Sequence, residues 1–287
     1  MTEGALRERV ESVLGRRVSS FTRTHGGDIN DAFELELEGG ERVFLKTNQD
    51  APPGLFTAEA RGLELIRTAS ALRVPKVLAA FDEDVSFLLL EFIHSAKPAR
   101  HFDEELGRGL AALHRAELPY FGLDHDNFIA TLRQSNRRHE SWAEFYRAER
   151  LEPQLRLALG SGRAPRSLAR PFERLFASLA ERVGPAEPPA RLHGDLWGGN
   201  LHIDEAGAPV LIDPALYGGH REIDLAMMQL FGGFSARVFA AYAEAFPLAP
   251  EHAERVTLYQ LYPLLVHVNL FGGSYVARVR DIVEGLA

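Results

Sequence analysis

The stretch 191–224, RLHGDLWGGNLHIDEAGAPVLIDPALYGGHREID, constrains the fold and chemistry of this chain more than any other. It carries four polar residues at fixed spacing, His193, Asp195, Asn200 and Asp213. The apolar run 209–212 predicts a short buried strand, so Asp213 follows at the carboxyl end of that strand. Glycines surround Asp195 and Asn200, and a loop of this kind lets the backbone approach a ligand closely. The stretch therefore predicts a polar site beside a strand end.

The pattern H-x-D-x-x-x-x-N, followed by an aspartate after a strand, has the spacing that protein kinases use. In phosphoryl transfer, one carboxylate orients the attacking hydroxyl and takes its proton. Oxygen ligands hold the Mg²⁺ that neutralises the phosphates. A glycine-rich turn between two strands would explain a lone HxD, but four groups at these spacings indicate a kinase.

Charge and composition limit which binding partners and which cellular compartment we expect. The net charge is −8 and the acidic residues are spread along the chain, so nucleic acid and anionic membranes are not expected partners. Cysteine is absent, which excludes disulfides, thiolate metal sites and cysteine nucleophiles. The N-terminus is a charged amphipathic segment without the apolar core of a signal peptide, and no apolar run reaches membrane-spanning length. We expect a cytoplasmic enzyme.

The first part of the chain predicts a helix over 3–14 and then strands over about 18–24, 31–37 and 41–47. The turn between the first two strands contains Gly26 and Gly27. Because this turn lies between strands rather than before a helix, it is not a Walker-type loop. By itself it indicates an ordinary hairpin turn, but with the kinase-like elements that follow, Gly26 and Gly27 are expected to bind the nucleotide.

Lys46 ends the third strand and is one of only three lysines in a chain otherwise rich in arginine. On a strand within this order of elements, it predicts an ammonium directed at ATP phosphates, although a solvated strand-end charge is the alternative. The helix predicted over 55–69 offers Glu59 or Glu64 as its ion partner.

Apolar runs over 72–81 and 85–92 complete a predicted five-stranded antiparallel sheet with one helix. Glu91 and Ile93 end the last strand, where backbone groups of a kinase-like chain can read the adenine edge. Beyond residue 93 helical periodicity dominates. The sequence therefore predicts an α+β, two-lobed chain, with an ATP-binding lobe over 1–92 and a catalytic and substrate-binding lobe over 93–287.

The second lobe predicts helices over 102–116, 140–159, 166–183, 220–246 and 250–284, with a loop over 117–136. We expect the last two to be interrupted at Pro247, Pro250, Pro263 and the Gly-Gly pairs 232–233 and 272–273. His114 is expected to be a packed or helix-end histidine rather than a ligand.

Several segments resemble the fructosamine kinase (ketosamine-3-kinase) family. They are HGDLWGGN at 193–200, DPALYGGHREIDLAM at 213–227, FGLDHDN at 121–127 and WAEFYRAERLEPQL at 142–155. The first two are far more specific than the HxDxxxxN shared by aminoglycoside and choline kinases. The resemblance implies the two-lobed protein-kinase-like fold. It also implies ATP-dependent phosphorylation of the sugar 3-hydroxyl of ketosamines, in which the phosphorylated adduct becomes unstable and frees the amine of a small molecule or glycated protein.

The same resemblance implies a role for each matching residue. Asp195 would be the catalytic base, Asn200 and Asp213 would hold Mg²⁺, and Lys46 would contact the ATP phosphates with Glu59 as its partner. Glu59 is preferred over Glu64 because it falls early in the helix, as the partner glutamate does in the family.

Substrate-binding residues are expected around the same motif. Trp197 suits a wall for a sugar and a cationic amine, with a core tryptophan as the alternative. Tyr217 and His220, together with Arg221, are expected to line or support the cleft. Glu222 and Asp224 are expected to anchor the catalytic loop rather than to react.

One departure from the family concerns regulation. Some members carry a redox-sensitive cysteine in the glycine-rich loop, whereas this chain has Asp28 there and no cysteine. Redox-linked dimerisation through that position is therefore excluded.

Two alternatives stay open. The chain could phosphorylate another amino-alcohol such as an aminoglycoside or choline, or it could be a nucleotide-binding pseudokinase that regulates a partner. The intact Lys46, Asp195, Asn200 and Asp213 argue against a pseudokinase.

Overall fold

A computed structural model describes residues 3–24, 30–82 and 85–286. The helices are α1 (Glu3–Leu14), α2 (Leu55–Thr68), α3 (Phe102–Arg115), α4 (Trp142–Phe145), α5 (Glu152–Gly160), α6 (Ala169–Arg182), α7 (Glu222–Phe231), α8 (Ala236–Ala245), α9 (His252–Phe271) and α10 (Tyr275–Leu286). The strands are β1 (Val18–Thr24), β2 (Asp31–Leu37), β3 (Arg42–Thr47), β4 (Val77–Asp82), β5 (Ser86–Glu91), β6 (Asn127–Ile129), β7 (Leu132–Gln134), β8 (Ala190–Arg191), β9 (Leu201–Ile203), β10 (Pro209–Leu211) and β11 (Gly218–Gly219). None of the described helices combines the length and the apolar character needed to cross a membrane.

The chain forms two compact units, one of residues 1–102 and 199–215 and the other of 103–198 and 216–287. The first unit holds a five-stranded sheet with the order β1-β2-β3-β5-β4, in which all neighbours are antiparallel. The predicted sheet is therefore confirmed. The predicted strand over 72–81 was too long: its strand begins only at Val77, because Pro75 has no N–H to give to a ladder.

Helix α1 lies on one face of this sheet because its apolar residues recur at helical spacing. Leu6 and Val10 are buried in one cluster with alternating strand residues, among them Leu35, Val43 and Leu45. These side chains form the core of the first unit.

The N-terminus of α2 is capped from another element. Gly54 precedes the helix and offers no side chain, so the Asp82 carboxylate of β4 accepts the N–H groups of Phe56 (2.9 Å) and Thr57 (2.7 Å). A carboxylate at this end also complements the helix dipole. The cap ties α2, the helix that carries Glu59, to the sheet.

The second unit is mainly helical, and with the sheet of the first unit it confirms the predicted α+β class. Two short ladders in this unit were missed. The β6–β7 ladder lies in the predicted loop 117–136, and the β8–β11 ladder joins residues just before His193 to residues just after Asp213. The predicted interruption at Pro263 was wrong, because α9 continues through it. Its neighbours Tyr262 and Leu264 are buried, so packing offsets the roughly 3 kcal/mol that an internal proline costs. The interruptions at both Gly-Gly pairs are confirmed.

Candidate active site

The predicted site residues fall in both units. The first unit contains Lys46, Glu59, Glu91, Ile93, Asn200 and Asp213, and the second contains Asp195, Trp197, Tyr217 and His220. Gly26 and Gly27 lie outside the described residues, as does Asp28.

Lys46 forms the centre of an ion cluster in the first unit. Its ammonium lies 2.8 and 3.0 Å from the two carboxylate oxygens of Glu59 and 2.8 Å from Oδ1 of Asp213. The predicted partner is therefore Glu59, whereas Glu64 pairs with Arg67 at the surface. Lys46 is only 5% exposed, which excludes the alternative of a solvated strand-end charge.

The cluster places one ammonium against two carboxylates. Burial alone would lower the pKa of Lys46, but Asp213 and Glu59 outweigh it and hold that pKa well above its ordinary value. Burial raises the pKa of Glu59 to about 7, against the opposing effect of Lys46. The lysine therefore stays charged at neutral pH, and the excess negative charge of the cluster suits a cation.

Asp213 has a left-handed backbone with φ of +56°, which is uncommon for a residue with a side chain and recurs at functional sites. Its side chain is 36% exposed, and its backbone carbonyl faces the Asn200 amide nitrogen at 3.5 Å. One carboxylate and one amide oxygen fit Mg²⁺, which usually binds to few protein ligands and takes the rest from phosphates and water. Among the described residues, no group of three or more His, Cys, Asp or Glu could hold a metal by itself.

Glu91 and Ile93 are held in place by side chains of the first unit. The Glu91 carboxylate accepts hydrogen bonds from Arg73 at 2.7 Å and from the Lys76 N–H at 3.1 Å. The Ile93 carbonyl accepts one from Nε2 of His202 at 3.2 Å. These contacts hold the backbone between Glu91 and Ile93 in a defined position.

The loop that carries Asp195 is anchored by a buried carboxylate. Asp224 accepts the N–H groups of His193 (2.7 Å) and Gly194 (2.9 Å), and it also accepts Nε2–H of His114 at 3.2 Å. Burial would raise the pKa of Asp224, but these hydrogen bonds and the nearby histidines keep it below its ordinary value. The expected anchoring contacts of Asp224 and the packed state of His114 are both present.

We expect Asp224→Asn to lower kcat at least about tenfold and the free energy of unfolding by about 2 kcal/mol, because an amide nitrogen would face a buried N–H donor. Nucleotide affinity should stay near the wild-type value. Steady-state kinetics, denaturant titration and a nucleotide-binding isotherm measure the three quantities. Tyr242→Phe is the control, since that hydroxyl contacts Nδ1 of His114 (2.8 Å) rather than the Asp224 carboxylate. Reduced stability with an unchanged kcat would make Asp224 structural only.

The three predicted substrate residues differ in exposure. Trp197 is 42% exposed, which excludes a core tryptophan and leaves its ring able to contact a ligand. Tyr217 and His220 are buried, with exposures of 1% and 2%. The Tyr217 ring lies 3.8 Å from the guanidinium carbon of Arg150, and His220 stacks on Tyr259 at 5.5 Å. Their burial argues against direct contact with substrate and favours a role in supporting the residues around them.

Two ion pairs hold the segment after His220. Arg221 makes a two-pronged contact with Glu187, with both distances 2.8 Å. Glu222 makes another with Arg255, at 2.8 and 2.6 Å. Arg221 and Glu222 therefore fix the start of α7, the helix that also carries Asp224.

Reasoning from the sequence missed Asn127 and Arg150, although both lie in segments that resemble the family. Asn127 donates to the Leu216 carbonyl at 2.8 Å, and its own side-chain oxygen accepts from Asn136. Arg150 is fully buried in a π-helical turn over 146–151 and donates to the Asn136 side chain at 2.6 Å. A buried arginine and the polar side chains around it leave no periodic signal in a sequence. The signal that could have identified Asn127 and Arg150 is the resemblance of segments 121–127 and 142–155 to the family.

Known proteins resemble this chain over nearly its whole length. The sequence profile of the fructosamine kinase family matches residues 5–287. A probable ketoamine kinase from Enterococcus faecium is 37% identical over 261 residues, which is 90% of this chain and 92% of that protein. A solved protein from Thermobifida fusca, provisionally named a fructosamine-3-kinase, superposes with a TM-score of 0.90 at 37% identity over 99% of both chains.

More distant structures share the fold alone. The choline kinase LicA from Streptococcus pneumoniae superposes with a TM-score of 0.61 at 16% identity, over 99% of this chain and 98% of that one. A structure of LicA in complex with AMP gives a TM-score of 0.62 at the same identity. The predicted protein-kinase-like fold is confirmed. With the family profile and the relatives in agreement over nearly the whole chain, this protein belongs to the fructosamine kinase family and is a phosphotransferase with a hydroxyl group as acceptor.

Proposed function

We propose that the chain transfers the γ-phosphoryl group of ATP to the 3-hydroxyl of the sugar in a ketosamine, either a ribulosamine or a fructosamine. The phosphorylated adduct would then release its amine, which makes the activity a deglycation repair step. The observation that carries the kinase chemistry is the buried Lys46 ammonium held by Glu59 and Asp213. The substrate class rests on family membership and on the names of the relatives.

Nucleotide binding is proposed to use residues of the first unit. Lys46 stays protonated and donates to phosphate oxygens, while the backbone at Glu91 and Ile93 contacts the adenine edge. Asn200 and Asp213 would hold Mg²⁺, which supplies charge neutralisation at the phosphates when bound. Along the chain, residues 1–92 are proposed as the ATP-binding lobe and 93–287 as the catalytic and substrate-binding lobe, which also contributes Ile93, Asn200 and Asp213 at the nucleotide. Gly26 and Gly27 remain predicted nucleotide-binding residues.

Asp195 is proposed to orient the sugar hydroxyl and to take its proton as the hydroxyl oxygen bonds to the γ-phosphorus. The bond between that phosphorus and the β–γ bridging oxygen breaks, and ADP leaves. The hydrogen bonds of Asp224 to His193 and Gly194 keep the backbone before Asp195 in one conformation. Because the loop is already ordered, the transition state does not carry the free-energy cost of ordering it.

ADP release with Mg-ATP over a small panel tests the function. The panel contains ribulosyl-lysine, fructosyl-lysine, an aminoglycoside and choline, each also with Asp195→Asn. We expect turnover of the ketosamines alone, absent in the variant. Turnover of only the aminoglycoside or choline would keep the chemistry and overturn the substrate. ATP binding without turnover of any compound would favour a regulator.

We expect Trp197→Ala to raise KM for a ketosamine about tenfold, because the half-exposed indole offers a face for the sugar and amine. Trp197→Phe should keep most of the affinity, since it preserves an aromatic face. Initial rates over a range of ketosamine concentration give both KM values. An unchanged KM in Trp197→Ala would remove this residue from the substrate site.

A further inference from the structure

Large apolar side chains that are exposed occur at only three positions in the described part of the second unit. Leu157, Trp197 and Phe271 are 45%, 42% and 57% exposed. Leu157 lies on α5, whereas Trp197 follows Asp195 by two residues and Phe271 ends α9. Exposed aromatic side chains that occur together commonly mark a binding surface.

Phe271 belongs to a cluster of four rings that we call the aromatic shelf: Phe231, His267, Phe271 and Tyr275. The His267 ring lies 4.6 Å from Phe231, 5.5 Å from Phe271 and 5.0 Å from Tyr275, measured between centroids. The shelf forms because α7 and α9 both end in an aromatic residue followed by a glycine pair. All four of these glycines have positive φ, which ends each helix sharply after its aromatic residue.

The shelf adjoins the loop of Asp195 through a contact between two backbones. A β-carbon added to Gly198 would lie 3.3 Å from Cα of Gly233, and one added to Gly233 would lie 3.0 Å from Cα of Gly198. Phe231 is two residues from Gly233, and Trp197 is next to Gly198. The backbone that follows Phe231 of the shelf therefore packs against the loop that carries the proposed base, next to Trp197.

The chemistry of the shelf favours an uncharged apolar group. Burial keeps the pKa of His267 below its ordinary value, despite the opposing hydrogen bond that Nδ1–H donates to the Pro263 carbonyl at 2.8 Å, so the ring is neutral near pH 7. Arg163 donates to the Leu270 carbonyl at 3.3 Å, which places a cation at the edge of the shelf. An ammonium group at that edge would be repelled.

We propose that the aromatic shelf binds the hydrocarbon part of the amine substituent of the ketosamine, and so sets which amines the enzyme accepts. This inference rests on the proposed function. A sugar with its 3-hydroxyl at Asp195 must project its nitrogen substituent away from the reacting oxygen. The apolar surface that borders the Asp195 loop is available to that substituent, and its contact removes apolar area from water.

The test compares adducts of one sugar with methylamine, hexylamine and phenethylamine, which differ only in hydrocarbon. We expect the wild type to show a kcat/KM for the two larger adducts at least about fivefold above that for the methylamine adduct, the gain from covering a few tens of Å² of apolar surface. Phe271→Ala should bring that ratio close to one, and Phe271→Tyr should keep it. Leu157→Ala removes an exposed apolar side chain that is not one of the four shelf rings and should leave the ratio at the wild-type value.

The outcomes distinguish a failure of this inference from a failure of the proposed function on which it rests. A wild-type ratio near one, or a ratio that survives Phe271→Ala, overturns the role of the shelf while ketosamine phosphorylation stands. Absence of turnover with all three adducts overturns the proposed function, and the shelf assignment with it. Thermal melting of Phe271→Ala checks that the exposed substitution leaves the fold intact.

Discussion

Asp195→Asn is expected to bind Mg-ATP as the wild type does and to turn over roughly a hundred- to ten-thousandfold more slowly, the range that a general base contributes. An asparagine has nearly the same shape, but its amide cannot take the proton of the attacking hydroxyl. The backbone N–H of Asp195, which donates to Nδ1 of His193 at 3.2 Å, is untouched by the change. The effect should therefore fall on kcat with little change in stability.

Single-turnover rates and a nucleotide-binding isotherm separate the two steps. Asp281→Asn makes the same chemical change at an exposed position on α10 and serves as the matched control. Wild-type turnover in Asp195→Asn would remove this residue from the role of base. Loss of nucleotide binding together with turnover would point instead to a disturbed fold.

Lys46→Met is expected to lower kcat/KM for ATP about a hundredfold, because it removes the only ammonium that the Glu59 and Asp213 carboxylates share in the described structure. Breaking a buried ion pair often costs several kcal/mol, since a charge is left unpaired. Here the cost should be smaller, because burial already raises the pKa of Glu59 to about 7 and the carboxyl can take up a proton.

Glu59→Gln distinguishes the effect of positioning the Lys46 ammonium from the effect of its charge. It leaves Lys46 paired with Asp213, so we expect a milder loss of kcat/KM than in Lys46→Met. The double variant should lose less than the sum of the two single losses, because the residues act through one contact. Lys76→Met, which removes an exposed lysine, is the control. Wild-type kinetics in Lys46→Met would contradict the phosphate-binding role.

Local patterns account for the success of the sheet prediction. Alternation in β2 requires one face of that strand to be buried, and the apolar run of β5 requires both of its faces to be buried. These requirements can be read residue by residue. The choice between Glu59 and Glu64 does not follow from a local pattern in this way. Both lie on α2, and only the packing of that helix, capped by Asp82, brings Glu59 to Lys46 and leaves Glu64 beside Arg67.

The failure at Pro263 arose because long-range packing overrides local preference. Pro263 ends a helix by its own chemistry, yet α9 continues because its surroundings are buried. Tyr217 and His220 were expected to line or support the cleft. Their burial against Arg150 and Tyr259, which no local pattern encodes, favours support.

The sequence by itself predicted the α+β class and a five-stranded antiparallel sheet, because these follow from periodicity along the chain. Its motifs indicated the family, and their spacing gave the candidate residues for phosphoryl transfer. Only the tertiary structure decided that Asp213 joins Glu59 beside Lys46, that Asp224 holds the backbone before Asp195, and that Trp197 is exposed while Tyr217 is buried. It also joined residues 199–215 to the unit that contains the sheet. Such contacts link residues far apart in sequence, and their energy depends on burial and distance, which no local pattern encodes.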